Sequence, residues 1–223
     1  MTLLFENYGA ALVAFVLFAV FHSVGAHEPL KHALARWTSP FWVDHFWRVA
    51  YCSLSFGALY GGVSALLWGR NGGNNVWLVD YPDWLWQALT ILHLGSIGLL
   101  YAAFLQSDYL EFLGLKQAWR GLRVLAGRAV EPTPVALFGS QRLVTTGVYA
   151  WVRHPMLAGG LLFLLTSGPS ANNLVYTLMY TGYMLLGGYY EERRMVKIFG
   201  DDYLSYRIRV GAFCPRFWRR QVT

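Results

Sequence analysis

Long apolar runs without charged residues alternate with shorter polar segments along the chain. Runs of about 20 residues, the length that crosses a bilayer, occupy positions 8–26, 49–68 and 84–105. Two more runs follow at 155–170 and 173–190, and the first of these is short enough to need its flanks to span. The pattern predicts an all-α polytopic membrane protein with about five transmembrane helices.

Basic residues are distributed unevenly over the segments between these runs. Of the 18 lysines and arginines, all but Arg70 lie after the first, third or fifth run or just before the fourth. The positive-inside rule then predicts an N-terminus outside the cell and a cytoplasmic C-terminus. The net charge of +6 is therefore interpreted as a topology and lipid-surface feature, with no nucleic-acid partner. A bacterial-type inner membrane is the expected location.

The composition supports a membrane protein. Hydrophobic residues make up 56% of the chain and charged residues 13%, whereas a soluble domain carries roughly a quarter charged residues. Glu6 is the only charge before the first run, so no basic n-region of a cleaved signal peptide is present. Cys52 and Cys214 match no C-x-x-C pattern, and no metal site or disulfide is predicted.

The polar segment after the third run has helical periodicity. Apolar residues recur at helical spacing, with a basic stripe beside them: Leu115, Trp119, Leu122 and Ala126 beside Lys116, Arg120 and Arg123. This pattern predicts a cytoplasmic helix in the headgroup plane. The two prolines of EPTPVALFGS (131–140) end that helix.

The segment EERRMVKIFGDDYLSYRIRV, which begins at Glu191, predicts the C-terminal structure. We expect one helix to leave the fifth run, a break at Gly200, and a second short helix capped by Asp201 or Asp202. The chain is thus predicted to contain an N-terminal three-span bundle (1–105), an interfacial helix with a linker (106–142) and a C-terminal core (143–223).

Four polar residues are expected to meet at the cytoplasmic face. The fourth run starts directly after Arg153 and His154, and the fifth ends at Glu191 and Glu192. The intervening turn, PSANN, is short, so the two runs should form an antiparallel hairpin. These residues can form a site for a small molecule with anionic and cationic groups. They are also typical of a topology signal and a solvated charge run, and this alternative stays open.

Pro155 and nearby glycines add to this hypothesis. Pro155 suits the first turn of a helix, whose free amides and positive end favour an anion. Gly159 and Gly160, with Gly187 and Gly188 across the hairpin, allow close backbone approach or leave space for a ligand.

Residues Leu143 to Pro215 resemble the integral-membrane methyltransferase superfamily that includes isoprenylcysteine carboxyl methyltransferases and phospholipid methyltransferases. The matching elements are T-G-V-Y at 146–149, R-H-P at 153–155, Gly159, E-E at 191–192, F-G at 199–200 and Y-x-x-Y at 203–206. Upstream, F-H-S at 21–23 and DYLEFLGLKQAW at 108–119 resemble the methanethiol S-methyltransferase and NnrU-like branch. Leu157 departs from the pattern, because this superfamily usually has tyrosine at that position. The GAFCP ending is a second departure from the pattern.

The resemblance implies S-adenosylmethionine as cofactor, held between the R-H-P helix start and the glutamates. It implies that His154 and Pro155 hold the methionine portion and that Glu191 and Glu192 accept from the ammonium or the ribose hydroxyls. It further implies binding roles for Gly147 and Tyr149 on the adenine side and for Gly159. Arg153 is implied to fix the loop or to pair with a carboxylate. The chain has no Gly-rich strand-to-helix loop of a soluble Rossmann enzyme.

The resemblance favours S-methylation of a small thiol such as methanethiol, with His154 or one of the glutamates as a candidate base. Isoprenylcysteine carboxyl O-methylation and phospholipid N-methylation are alternative reactions. The expected partners are a small or lipid-like methyl acceptor and membrane lipids, with no obligate protein partner.

Two other classes of function remain open. His22 and His93 lie in predicted spans, where histidines can bind haem, so a haem or quinol membrane redox protein is the second class. A non-enzymatic membrane protein of the NnrU type is the third class.

Overall fold

The computed structural model describes residues 2–70, 75–128 and 143–216. The predicted break at EPTPVALFGS (131–140) lies outside these residues. The described chain is mostly helical, and its extended pairing is limited to the isolated bridges Trp77–Ser170 and Val152–Gly211. The helical fold class is therefore confirmed.

Ten α-helices lie in the described residues, in this order: α1 Thr2–Gly25, α2 Glu28–Trp37, α3 Pro40–Trp42, α4 Arg48–Phe56, α5 Asp83–Gln106, α6 Tyr109–Phe112, α7 Leu115–Leu125, α8 Pro155–Thr166, α9 Ala171–Phe199 and α10 Asp201–Arg209. Shorter helical segments of other types are the π-helical Val43–Trp47, Gly57–Val63 and Ala65–Arg70 and the 3₁₀ turn Gly147–Ala150.

These helices form two compact units. The first contains Met1–Asn75 and Asp108–Gln141, and the second contains Val76–Ser107 and Arg142–Thr223. The functional domains expected at 1–105, 106–142 and 143–223 stay a prediction.

Three helical stretches in the described residues are long and apolar enough to cross a membrane: Tyr8–Gly25, Pro40–Gly69 and Asp83–Gln106. They correspond to the first three predicted spans. Helix α8 has 12 residues, or roughly 18 Å, which is shorter than a hydrocarbon core of about 30 Å. Helix α9 is longer, but its apolar part contains Asn172 and Asn173. The count of five spans and the orientation stay predictions.

The second of these stretches begins earlier than its apolar run. Ser39 is extended and Pro40 occupies the first turn, where the missing amide hydrogen removes no helical bond. The helix therefore starts at Pro40, nine positions before the predicted residue 49, and its apolar part contains π-helical turns such as Gly57–Val63.

In the first unit, α7 confirms the predicted amphipathic helix. Leu115, Trp119 and Leu122 are exposed along one face. The turn before α7 packs tightly because Gly114 has a φ of +82°, and a Cβ there would lie 2.5 Å from the Val49 amide nitrogen. The placement of α7 in the headgroup plane stays a prediction.

In the second unit, α8 and α9 form the predicted antiparallel hairpin. A Cβ at Gly160 would lie 2.7 Å from the Tyr180 hydroxyl, so glycine permits this close approach. At the turn, Asn173 Nδ2 donates to the carbonyl of Leu164 at 2.9 Å, and Ser170 Oγ accepts from the Asn173 amide at 3.3 Å. These contacts fix the register of α8 against α9.

The chain breaks between α9 and α10 as predicted. Gly200 has a φ of +53° and separates the two helices, a backbone conformation that glycine adopts readily. The capping prediction is wrong, because Gly200 occupies the N-cap and no side chain caps α10. Asp201 and Asp202 lie in the first turn instead, where their charge favours the positive helix end.

Candidate functional site

The segment before α8 is held by the backbone that follows α10. The amide of Arg153 donates to the Gly211 carbonyl at 2.8 Å, and the amide of His154 donates to the Ala212 carbonyl at 3.0 Å. His154 then occupies the N-cap of α8, and Pro155 is the first helical residue. These bonds fix the direction in which the Arg153 and His154 side chains leave the backbone.

Arg153 joins α9 and α10 from a buried position. Its Nε donates to Glu192 Oε1 at 2.9 Å, and its Nη2 contacts the same oxygen. Its Nη1 donates to the carbonyls of Arg207, at 3.0 Å, and Val210. Because a buried charge is costly without partners, this set of acceptors allows the Arg153 side chain to be only 6% exposed.

His154 lies between the two glutamates. Its Nε2 is 3.2 Å from Glu192 Oε1, and its Nδ1 is 3.5 Å from Glu191 Oε2. Burial lowers the pKa of an imidazole, but the carboxylates of Glu191 and Glu192 outweigh burial and hold the pKa of His154 above its ordinary value. This geometry favours an imidazolium that donates from both ring nitrogens.

Arg153, His154, Glu191 and Glu192 form an ion cluster, and Glu192 is its centre. Its Oε1 accepts from Arg153 and His154, and its Oε2 is 3.1 Å from Arg207 Nε. Burial raises the pKa of a carboxyl group, but the hydrogen bonds and charges of Arg153 and His154 outweigh it and hold the pKa of Glu192 below its ordinary value. Protein donors therefore occupy both oxygens.

Glu191 is the open carboxylate of the pair. Its side chain is 44% exposed, against 14% for Glu192. Desolvation raises its pKa, but the contact with His154 and the charge of Arg194 outweigh this and hold the pKa of Glu191 below its ordinary value. A ligand with an ammonium or hydroxyl donor can reach this group without breaking the cluster.

Gly147 and Tyr149 pack beside α5. Gly147 has a φ of +61°, and a Cβ there would lie 2.3 Å from Gln106 Oε1, the atom that accepts from the Val148 amide. The hydroxyl of Tyr149 donates to the Ala103 carbonyl at 3.5 Å. Both residues shape the loop that leads to Arg153.

Gly159 lies on the face of α8 that packs against α5. A Cβ there would lie 2.9 Å from Leu100 Cγ, so Gly159 serves the packing of α8 against α5. The structure therefore brings Arg153, His154, Pro155, Glu191 and Glu192 together, and it places Gly159 at a helix contact.

Two residues near the C-terminal end of the described chain contact the cluster, and no role was predicted for them from the sequence. Arg207 contacts Glu192, and the Phe213 ring lies 5.7 Å from the His154 ring between centroids. The Y-x-x-Y element was the available signal, because the Tyr206 hydroxyl donates to the Tyr149 carbonyl at 2.5 Å. Its other member, Tyr203, is 2% exposed, and burial raises its pKa to about 12.

Leu157, the departure from the superfamily pattern, lies on the apolar side of this region. A Cβ at Gly188 would lie 3.5 Å from Leu157 Cδ1 and 3.6 Å from Phe213 Cζ. Leu157 and Phe213 therefore both border Gly188, and this wall offers no hydroxyl at position 157.

The donor set suits the amino-acid end of S-adenosylmethionine. The first-turn amides of α8 have no intrahelical acceptor, and with the positive helix end and the His154 imidazolium they favour a carboxylate. The half-open Glu191 favours an ammonium or hydroxyl group. Opposite charges are thus available at one small site.

The two histidines considered for haem have other contacts. His93 Nδ1 lies 3.0 Å from Thr166 Oγ1. The His22 ring lies 5.3 Å from the Tyr51 ring, and the His22 carbonyl accepts from the Tyr51 hydroxyl at 2.9 Å. Both contacts are of the kind that holds a packing residue in place.

Comparisons with known proteins found relatives that align over most of this chain. The family described as NnrU protein matches residues 11–186. A methanethiol S-methyltransferase of Pseudomonas deceptionensis is 35% identical over 91% of this chain and 71% of its own length. One of Mycobacterium tuberculosis is 31% identical over 92% of this chain and 76% of its own.

A relative that aligns over a shorter part of the chain is named for a different methyl-transfer reaction. The protein-S-isoprenylcysteine O-methyltransferase of Schizosaccharomyces pombe is 32% identical over 49% of this chain and 49% of its own length. No solved structure matches the chain significantly. The chain therefore belongs to the NnrU protein family, within the methyltransferase superfamily that its R-H-P and E-E elements resemble.

Proposed function

We propose that this protein is an integral membrane methyltransferase that uses S-adenosylmethionine to S-methylate a small thiol such as methanethiol. The observation that carries the proposal is the cluster of Arg153, His154, Glu191 and Glu192 at the start of α8. The methyltransferase names of relatives that align over most of the chain support it. In this proposal the site faces the cytoplasm from a bacterial-type inner membrane.

S-adenosylmethionine supplies an electrophilic methyl group on a sulfonium when it is bound. We assign its carboxylate to the first-turn amides of α8, which begins at Pro155, with the positive charge of the His154 imidazolium beside them. Its ammonium or ribose hydroxyls are assigned to Glu191, the more exposed glutamate. Glu192 holds Arg153 and His154 in place, and the loop with Gly147 and Tyr149 borders the adenine side.

The reaction is a displacement at carbon. With S-adenosylmethionine bound, the thiol would become a thioether and lose its proton to water, and the cofactor would become S-adenosylhomocysteine. His154 is a poor base here because both of its ring nitrogens already face carboxylates. The depressed pKa of Glu191 also makes it a weak base toward a thiol.

The chain's contribution is therefore positioning and the exclusion of water around the reacting atoms. The apolar side formed by Leu157 and Phe213 near Gly188 suits a small apolar acceptor that arrives from the bilayer. A prenylcysteine carboxylate is the second candidate acceptor, supported by the Schizosaccharomyces pombe relative.

A methyl-transfer panel tests the proposal. The full chain, purified in detergent, is supplied with S-adenosylmethionine that carries a deuterated methyl group, together with methanethiol, a prenylcysteine or phosphatidylethanolamine. We expect deuterated dimethyl sulfide by mass spectrometry from methanethiol, and much less of it from Glu191→Gln at the same subsaturating concentration of S-adenosylmethionine. Transfer only to one of the other acceptors would reassign the substrate, and no transfer at all would overturn the enzyme proposal.

A further inference from the structure

An open cleft of about 310 Å³ lies between α9 and α10, beside the ion cluster. Its lining residues are Tyr189, Glu192, Arg193, Val196 and Arg207. Four of these follow one face of α9 at helical spacing, and Arg207 comes from α10. The volume is in the range of small-molecule sites, and the function proposed above assigns no ligand to it.

Two guanidinium groups border this cleft. Arg207 contacts Glu192 through Nε at 3.1 Å, while half of its side chain stays exposed. Arg193 stacks over the Tyr189 ring at 5.5 Å, and its Nη1 lies 3.4 Å from the Tyr189 hydroxyl. With one carboxylate and two guanidinium groups, the lining is net cationic and offers planar donor sets that match phosphate oxygens.

The cleft lies where an uncharged helical stretch ends. Residues 171–190 of α9 contain no Asp, Glu, Lys or Arg, and the charges begin at Glu191. Tyr189 and Tyr190 are 57% and 61% exposed, and tyrosines at the end of an apolar stretch are typical of the headgroup level of a membrane. Arginines just past such an end meet lipid phosphates.

We propose that this cleft binds the phosphate group of an anionic phospholipid. The phosphate lies between Arg193 and Arg207, and the Tyr189 ring, on the apolar side of Arg193 along α9, contacts the glycerol and the upper acyl chains. This inference goes beyond the proposed methyl transfer and stands without it, because lipid binding is measured directly.

The site also connects lipid to the ion cluster. Arg207 contacts Glu192, and Glu192 in turn holds Arg153 and His154. A bound phosphate fixes Arg207 at this contact, so anionic lipid stabilises the side chains that we assign to the cofactor.

Native mass spectrometry of the full chain in detergent tests the proposal, with dioleoyl phosphatidylglycerol, dioleoyl phosphatidylcholine or inorganic phosphate as the probe. We expect phosphatidylglycerol to bind more tightly than phosphatidylcholine, and Arg193→Gln to weaken it about fivefold, the factor for one basic residue at an anionic surface. The matched control is Arg209→Gln. Arg209 is exposed on the same helix as Arg207, bonds through Nε to the Ser205 carbonyl and is outside the cleft lining.

Further arms identify the source of the phosphate and guard against misfolding. Arg193→Lys should recover part of the affinity, and in detergent without added anionic lipid S-adenosylhomocysteine should bind Arg193→Gln as it binds wild type. Equal lipid affinity in wild type and Arg193→Gln would overturn the proposal. Displacement of the lipid by inorganic phosphate at equal concentration would also overturn it, because the site would then take a soluble anion. Loss of S-adenosylhomocysteine binding in Arg193→Gln would assign the cleft to the cofactor instead.

Discussion

Two ion clusters in this protein are built in opposite ways. In the first unit, Lys116 pairs with Asp108, and Arg120 pairs with Glu111 at 3.4 Å. These partners are eight and nine residues apart. In the second unit, Arg153 and Glu192 are 39 residues apart, and their side chains are 6% and 14% exposed.

The difference separates a local support from a site. The Asp108–Lys116 pair forms once α6 and α7 turn toward each other, and such exposed pairs stabilise a protein little. The Arg153–Glu192 pair requires the hairpin and α10 together, and its burial makes a missing partner costly. Buried charged side chains next to a partly exposed carboxylate are typical of a ligand site.

The largest expected effect comes from removal of the buried cation. Arg153→Gln leaves Glu192 without its main partner and takes the donors from the carbonyls of Arg207 and Val210. We expect a loss of about 3–5 kcal/mol in the free energy of unfolding, the cost of one partner of a buried ion pair. Denaturant unfolding in detergent measures it. A loss no greater than that of Lys116→Gln would erase the contrast between the clusters.

The two glutamates should separate binding from stability. Glu191→Gln should lower cofactor affinity by about 10–100-fold, the loss for a charged hydrogen-bond acceptor of roughly 1.5–3 kcal/mol, with a smaller loss of stability than Glu192→Gln. Glu192→Gln should lower both, because Arg153, His154 and Arg207 lose their shared acceptor. Affinity for S-adenosylhomocysteine and thermal unfolding are measured for each variant. Equal losses of stability would contradict the separate roles.

The pH dependence of stability should follow the raised pKa of His154 and the lowered pKa of Glu192. The His154 contribution is full below the ordinary value of about 6.5 and is lost as the pH rises through the raised one. The Glu192 contribution is full above about 4.3 and is lost as the pH falls through the lowered one. The cluster therefore stabilises most between about pH 4.3 and 6.5.

Thermal unfolding of wild type and His154→Gln over pH 4–9 checks this window. The difference in Tm should be largest near pH 5–6 and should shrink above about pH 6.5. A difference that grows with alkaline pH would mean that His154 is held neutral.

The smallest effect should come from the local cluster. Lys116→Gln removes the hydrogen bond to Asp108, which is the main reason why the pKa of Asp108 lies below its ordinary value. Both side chains are about two-fifths exposed, so the change in unfolding free energy should stay below about 1 kcal/mol. A loss near that of Arg153→Gln, measured in the same detergent, would make the first unit's cluster a structural centre.

The sequence indicated much of this fold because its signals are local. Apolar runs gave the first three spans, Gly200 gave the break before α10, and the short PSANN turn gave the hairpin that brings His154 near Glu191 and Glu192. The early start at Pro40 was missed because polar residues such as Asp44 and Arg48 interrupt the apolar pattern there.

The roles of α10 were beyond local reasoning. The return of Gly211 and Ala212 beside Arg153 depends on the angle set at Gly200. Spacing along the chain also could not tell the two glutamates apart. Only the contacts show that both oxygens of Glu192 face protein donors, whereas the Glu191 side chain stays partly exposed.

The most direct test of the central claim is calorimetric titration of S-adenosylhomocysteine into the full chain in detergent. Wild type and Lys116→Gln should bind with the same affinity, and Glu191→Gln should bind about 10–100-fold more weakly while it remains folded at the temperature of the titration. This result would identify the Arg153–His154–Glu191–Glu192 cluster as a cofactor site. No binding by folded wild-type protein would contradict the account.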